Sequence, residues 1–264
     1  MEQTEQQPLL TSRQGGVAWI QLNRPDRLNA VNLELYTALR AAVRAADAER
    51  SVRVVVLTGV GRAFCAGADL KAHAERPPTA AQRREYARAA QRANRALQGC
   101  GKPVIAAVNG AAVGAGLELA LSCDLVIVAA EARLRFPELT LGTFFGGGIA
   151  YTLPQRVGMA RTKELLFVGE FFTGADAAAM GLATAAVPAA AVEGEARALA
   201  LKLADRAPLP LRLAKRLLSR APGMSRRAVV RAEAQALVAC MGTKDWAEGV
   251  TAMREKRAPR YTGE

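Results

Sequence analysis

The amino-acid sequence predicts an α/β protein, a parallel sheet with helices on its faces followed by a helical C-terminal appendage. Three observations carry this. Apolar runs of strand length recur at 52–58, 103–108 and 125–129, as expected for strands buried on both faces. Helical patterns stand between the first two runs and between the second and third, and parallel neighbours need such crossovers. From Ala190 onward only helical patterns remain.

Taken in order, residues 17–22 (Val-Ala-Trp-Ile-Gln-Leu) read as a strand, which Asn23-Arg24-Pro25-Asp26 breaks. Asn32 caps a helix to about Asp47. The stretch 72–78, with the sole histidine His73, reads as a loop. An Arg/Ala helix covers 80–98 and stops near Gly99 and Gly101. After the strand at 103–108, a glycine-bearing turn leads into a helix holding Leu117, Glu118 and Leu119. A short strand follows at 133–136, then helices at 147–157, 160–168 and 175–181 and a strand at 184–187. The C-terminal helices cover about 190–206, 209–220, 225–241 and 244–256, punctuated by Pro208, Pro210 and Pro222. The expected division is an α/β core over 1–195 and a helical region over 196–264.

Composition narrows the function. The 264 residues are 51% hydrophobic, enough for a sizeable core. No apolar run reaches the ~18 residues of a membrane span. Met1-Glu2-Gln3-Thr4-Glu5 is polar and acidic, unlike a secretory or organelle leader, so a cytoplasmic protein is expected. Cys65, Cys100, Cys123 and Cys240 have no metal-ligand spacing and read as free thiols. One histidine in a loop argues against Ser-His or Cys-His catalysis. The net charge is +12, with basic clusters at Arg84, Arg88, Arg92 and Arg95 and at Arg212, Lys215, Arg216 and Arg220. These read as solvated helix faces or as attraction for a polyanionic small molecule. No reader motif accompanies them, so a nucleic-acid role is disfavoured. Neither a Walker A ending nor a Gly-x-Gly-x-x-Gly after a strand is present.

The chemistry concentrates in three glycine-containing segments: 61–71 (Gly-Arg-Ala-Phe-Cys-Ala-Gly-Ala-Asp-Leu-Lys), 109–119 (Asn-Gly-Ala-Ala-Val-Gly-Ala-Gly-Leu-Glu-Leu) and 136–148, with Glu138 and Gly146-Gly147-Gly148. Ala66-Gly67-Ala68 and Gly114-Ala115-Gly116 each follow a predicted buried strand. Chain of this kind brings free N–H groups close to a ligand, and such donors stabilise an oxyanion by about 2.7–4 kcal/mol each. Glu118 sits in an otherwise apolar stretch, where a carboxylate is costly unless it works. Two carboxylates can divide base and acid duties. Together these features suggest chemistry beside a carbonyl. The glycines also suit tight helix–sheet packing, and Glu138 after Pro137 also suits a turn.

These residues resemble the crotonase superfamily, in its enoyl-CoA hydratase/isomerase branch. The resemblance is collinear from about residue 15 and rests on Leu22-Asn23-Arg24-Pro25, Leu28-Asn29-Ala30, Phe64 to Leu70, Asn109 to Ala120 with Cys123-Asp124, Phe136-Pro137-Glu138, Leu141-Gly142, Thr173-Gly174 and Ala179 to Leu182. It implies a crotonase-like spiral of ββα turns, with a C-terminal helical region that forms trimers, commonly paired into hexamers. It implies an oxyanion hole from the N–H groups of Ala68 and Ala115, Glu118 as base, Glu138 as acid, and Gly146 as a water-positioning donor. Coenzyme A, as part of the substrate, would meet Ala66, Ala68, Asp69, Leu70 and Lys71, with Arg27 and Lys256 as further phosphate contacts. No metal or separate cofactor is implied. The expected reaction is reversible hydration of a 2,3-enoyl-CoA. The alternatives are Δ3,Δ2-enoyl-CoA isomerisation, or an acyl-CoA lyase or dehydratase reaction on the same fold. A basic nucleic-acid-binding or interaction protein is the rival of another class. The family commonly has glycine at 115 and a proline before Gly146. Here Ala115 and Phe144-Phe145 stand instead, and with Tyr151 these aromatics are expected to reshape the acyl pocket.

Overall fold

A computed structural model describes residues 7–75 and 77–264, except the side chains of 72–74. The N-terminal stretch 1–5 and the His73 side chain therefore lie outside the described residues. The chain runs β1 (Leu9–Gln14), β2 (Val17–Leu22), α1 (Leu33–Ala48), β3 (Val54–Gly59), β4 (Ala63–Cys65), α2 (Leu70–Glu75), α3 (Ala80–Gly99), β5 (Val104–Val108), β6 (Ala111–Val113) and α4 (Ala115–Leu121). It continues with β7 (Leu125–Ala129), β8 (Arg133–Arg135), α5 (Ile149–Phe167), β9 (Phe172–Thr173), α6 (Gly174–Ala179), β10 (Ala185–Val187), α7 (Val192–Ala204), α8 (Pro208–Arg220), α9 (Arg226–Met241) and α10 (Lys244–Glu255).

Two sheets organise these elements. A six-stranded sheet has the order β1-β2-β3-β5-β7-β10, parallel except for β1. A four-stranded sheet has the order β4-β6-β8-β9. The pairs β3/β4, β5/β6 and β7/β8 each place one strand in the large sheet and the next in the small one, with helix following. This is the spiral of ββα turns. The buried strands justify their apolar runs: all of β3 and β5 is buried. One stripe of α1 (Leu35, Tyr36, Leu39, Val43, Ala46) is buried at helical spacing. Val192, Ala196 and Ala200 bury a stripe of α7, which packs against β3, β5 and β7. The expected division at 195/196 falls inside α7.

Several expectations need correction. β1 is an additional strand: five of its six residues are exposed, so it lacks the burial pattern that marks the others. It is held as an edge by its antiparallel ladder to β2, across Gly15-Gly16. The segment read as a loop around His73 begins as helix α2. The helices expected at 147–157 and 160–168 form one assigned span, but Gly158 at φ 76° and ψ 163° breaks it between them. Lys215 does not join an outward basic cluster. Its Nζ pairs with Asp124 at 2.7 Å and donates to the Lys102 carbonyl at 3.0 Å.

Candidate active site

The small sheet places the three glycine segments together. β4, β6 and β8 are parallel neighbours, so the chain leaving their C-terminal ends emerges side by side. β4 delivers Ala66 to Asp69, β6 delivers Gly114 and the start of α4, and β8 delivers Phe136-Pro137-Glu138. A Cβ built on Gly67, at φ 96°, would meet the Val113 carbonyl oxygen at 2.7 Å and the Ala115 nitrogen at 3.9 Å. The two N–H segments therefore pack directly on one another, and only glycine fits at 67.

The first segment is fastened by residues far upstream. Val31 N–H donates to the Gly67 carbonyl at 2.8 Å, and Asp69 N–H donates to the Val31 carbonyl at 3.1 Å. Ala66 N–H donates to the Leu28 carbonyl at 2.9 Å. Arg24 forms a 2.8 Å ion pair with Asp69 and also donates to the Ala30 carbonyl. Buried Asn29 donates to the carbonyls of Val60 and Ala63 at 2.9 and 2.8 Å and accepts from Arg24 N–H at 2.8 Å. The Ala68 N–H lies between two bridging residues and points elsewhere. Neither it nor the Ala115 N–H, at the first position of α4, donates to another described residue. Ala115 does not have a positive φ, so its Cβ brings no backbone strain.

Both carboxyls flank the start of α4. Glu118 is 5% exposed and Glu138 8%. Glu118 Oε1 accepts a 2.6 Å hydrogen bond from Gly146 N–H. Glu138 Oε1 lies 2.7 Å from where a Gly114 Cβ would stand, and Gly114 has φ 51°. Glu138 Oε2 is buried with no hydrogen-bond partner among the described residues. Such a group is costly unless a ligand meets it. Burial pushes Glu118 up to about 7; the Gly146 N–H opposes this and the charge of Glu138 adds to it. Burial also raises Glu138. Glu118 therefore keeps its proton into the neutral range. Cys65 nearby stays a thiol, because burial raises it to about 12.

The remaining predicted residues are not drawn into this centre. Arg27, Leu70 and Lys71 are exposed beside the Ala66–Asp69 segment, whereas the Asp69 carboxylate is taken up by Arg24. Lys256 is exposed at the end of α10. Phe145 packs on the core and stacks on Phe144 at 4.2 Å, while Phe144 and Tyr151 are 72% and 52% exposed. Sequence reasoning missed Asn94 and Gln98, which meet the glycine loop from α3, and Ser122 at the end of α4, which bonds to both. A cavity of about 710 Å³ lies apart from the carboxyls, lined by Lys244, Asp245, Glu248 and Arg257 near the C-terminus. Its Arg257 and Glu248 are already paired at 2.6 Å, so it offers no comparable chemistry. No group of metal ligands occurs among the described residues. No helix among them is long and apolar enough to cross a membrane.

Known proteins share this arrangement of chain. The enoyl-CoA hydratase/isomerase family model matches residues 12–264. A 2,3-dehydroadipyl-CoA hydratase from Escherichia coli is 37% identical, over 97% of this chain and 98% of its own. A short-chain-enoyl-CoA hydratase from Clostridium acetobutylicum is 32% identical, over 94% and 95%. The crystal structure of an enoyl-CoA hydratase from Bacillus anthracis superposes with a TM-score of 0.94 at 36% identity, covering 98% of this chain and all of that one. With its ββα spiral and a match along nearly its whole length, the chain belongs to the enoyl-CoA hydratase/isomerase family of the crotonase superfamily.

Proposed function

We propose that the protein is an enoyl-CoA hydratase, adding water reversibly across the 2,3-double bond of an enoyl-CoA thioester. The observation that carries this reading is the pair of buried carboxyls, Glu118 within α4 and Glu138 against Gly114 at its start, together with two N–H groups that have no acceptor among the described residues. In the forward direction Glu118 takes a proton from water as its oxygen bonds to the β-carbon. The alkene electrons move onto the thioester oxygen, which the Ala68 and Ala115 N–H groups hold. Glu138 then gives its proton to the α-carbon. One turnover moves a proton from Glu138 to Glu118, and dehydration runs from the opposite tautomer. A pair that keeps one proton near neutrality suits both directions. The reaction needs no metal or redox cofactor, and coenzyme A arrives with the substrate. Exposed Arg27, Lys71 and Lys256 supply positive charge for its phosphates, and Ala66 and Leu70 supply contact surface.

A second reading, Δ3,Δ2-enoyl-CoA isomerisation, is favoured by one observation. Glu118, pushed up to about 7, can both accept a proton from one carbon and return it to another. Product identity decides between a 3-hydroxyacyl-CoA and a shifted double bond. The test is loss of enoyl absorbance with crotonyl-CoA for wild type, Glu118→Gln and Glu138→Gln. Each substitution is expected to lower kcat by about 10²–10⁴-fold. An inactive wild type that still binds the thioester would overturn simple hydration.

A further inference from the structure

The face of α3 that meets the glycine loop is polar although it is largely buried. Asn94 is 1% exposed and Ser122 4%. Gln98 Nε2 donates to the Gly147 carbonyl at 2.8 Å and to Ser122 Oγ at 3.2 Å. Ser122 Oγ donates to Asn94 Oδ1 at 2.7 Å, and Asn94 Nδ2 donates to the Ala90 carbonyl of its own helix at 3.0 Å. These bonds join the two parts of the Glu118 environment. Ser122 stands one turn beyond Glu118, its N–H donating to the Glu118 carbonyl at 3.0 Å. Gly147 follows Gly146, whose N–H holds Glu118 Oε1.

Packing alone does not call for this chemistry. Apolar residues of the same shape would be close to neutral for stability, because a net hydrogen bond contributes only about 0.5–1.5 kcal/mol. A satisfied buried network instead specifies one arrangement. Gly146 and Gly147 need such help. Gly147 has φ 62°, and a Cβ there would lie 2.9 Å from the Glu118 Cβ, so residue 147 cannot carry a side chain of its own to anchor it. Its carbonyl is what remains to be held.

We propose that Gln98 is a positioning residue, which ties the Gly147 carbonyl to the α4 helix through Ser122 and thereby holds the Gly146 N–H against the Glu118 carboxylate. Asn94 completes the clamp by fixing the Ser122 hydroxyl. The role as an aid to catalysis rests on the hydratase reading, in which Glu118 is the base. The titratable groups facing Glu118 are Tyr36 on α1, Tyr86 on α3, Cys65 at the end of β4, and Glu138. Substituting Gln98 removes none of them.

The test compares wild type with Gln98→Leu, which keeps bulk and loses both amide N–H donors. For Gln98→Leu, kcat with crotonyl-CoA should fall about tenfold, the factor one net hydrogen bond corresponds to. KM should stay within about twofold, since substrate contacts are untouched. The acidic limb of the kcat–pH profile should move to higher pH, because a carboxylate that loses an N–H donor is harder to ionise. A wild-type limb in Gln98→Leu would overturn the proposal, including where kcat falls along with melting temperature, since that marks a purely structural role. Hydrogen–deuterium exchange over 142–150 gives a readout independent of turnover. It should be faster in Gln98→Leu, and unchanged exchange would also overturn the clamp. Should wild type leave crotonyl-CoA unchanged, the hydratase reading fails, while the exchange comparison still decides the clamp.

Discussion

Glu118 Oε1 and the Gly146 N–H meet at 2.6 Å, across an interval of twenty-eight residues. This contact opposes the burial that otherwise raises the Glu118 carboxyl. It leaves the group at about 7, where it can take up and release protons in neutral solution. The kcat/KM–pH profile for hydration of crotonyl-CoA should therefore rise with an apparent pKa of about 7 on its acidic side. Glu118→Gln should abolish that limb together with most of the activity. A profile flat from pH 5 to 8 would contradict the assignment of Glu118 as base.

The same shift predicts a stability effect. The folded-state carboxyl lies near 7 against an ordinary value of 4.5. Its contribution is fully present below about 4.5 and is lost as pH rises through 7. Glu118→Gln has no such loss. Thermal melts should show the variant gaining on wild type between pH 4.5 and 8, by up to about 3 kcal/mol. A constant difference across this range would contradict a raised carboxyl.

Gly114 combines φ 51° with the approach of Glu138 Oε1. Gly114→Ala should cost about 1–3 kcal/mol from backbone strain and displace the Glu138 carboxyl. We expect kcat to fall by about 10²-fold or more, with the denaturation midpoint lowered in parallel. Steady-state kinetics and urea melts check both. A fully active variant would show that the Glu138 position matters little.

The Arg24–Asp69 ion pair sits behind the Ala68 N–H, with side-chain exposures of 21% and 8%. Removing one partner of a buried pair typically costs about 3–5 kcal/mol, less where water reaches it. Arg24→Met should therefore destabilise the protein and lower kcat more than it raises KM, because the oxyanion donor loses its fixed place. An effect confined to KM would instead mark Asp69 as a substrate contact.

The C-terminal helices carry an uncovered apolar surface. α9 buries no residue, and Leu218, Val230, Leu237, Val238 and Met241 are all more than half exposed. Patches of this kind mark interaction sites. We propose that this surface assembles a homotrimer. Light scattering after gel filtration should give three copies, or six where trimers pair, and Leu237→Glu with Val238→Glu should shift the mass toward monomer. A monomeric wild type would contradict the proposal.

Much of this was legible along the chain. Glu118 stood out because it interrupts the apolar run Leu117 to Leu121, and the strands because β3 and β5 are buried throughout. The parts that were not legible depend on distance or exposure. Gln98 and Asn94 reach the Gly147 loop, and Ser122 reaches them, only after the spiral stacks α3 on α4. β1 is hidden because an exposed edge strand has no burial period, although Gly15-Gly16 signals its hairpin. Lys215 looked like a member of a basic cluster because neighbouring positions are basic, but one helical turn decides which of them faces inward to Asp124.

The most direct measurement is the mass of the product from crotonyl-CoA in ¹⁸O-labelled water, for wild type, Glu118→Gln and Glu138→Gln. The account predicts a 3-hydroxybutyryl-CoA carrying one labelled oxygen from wild type, and almost none from either variant. An unlabelled product, or undiminished label uptake by both variants, would contradict water addition by the two carboxyls.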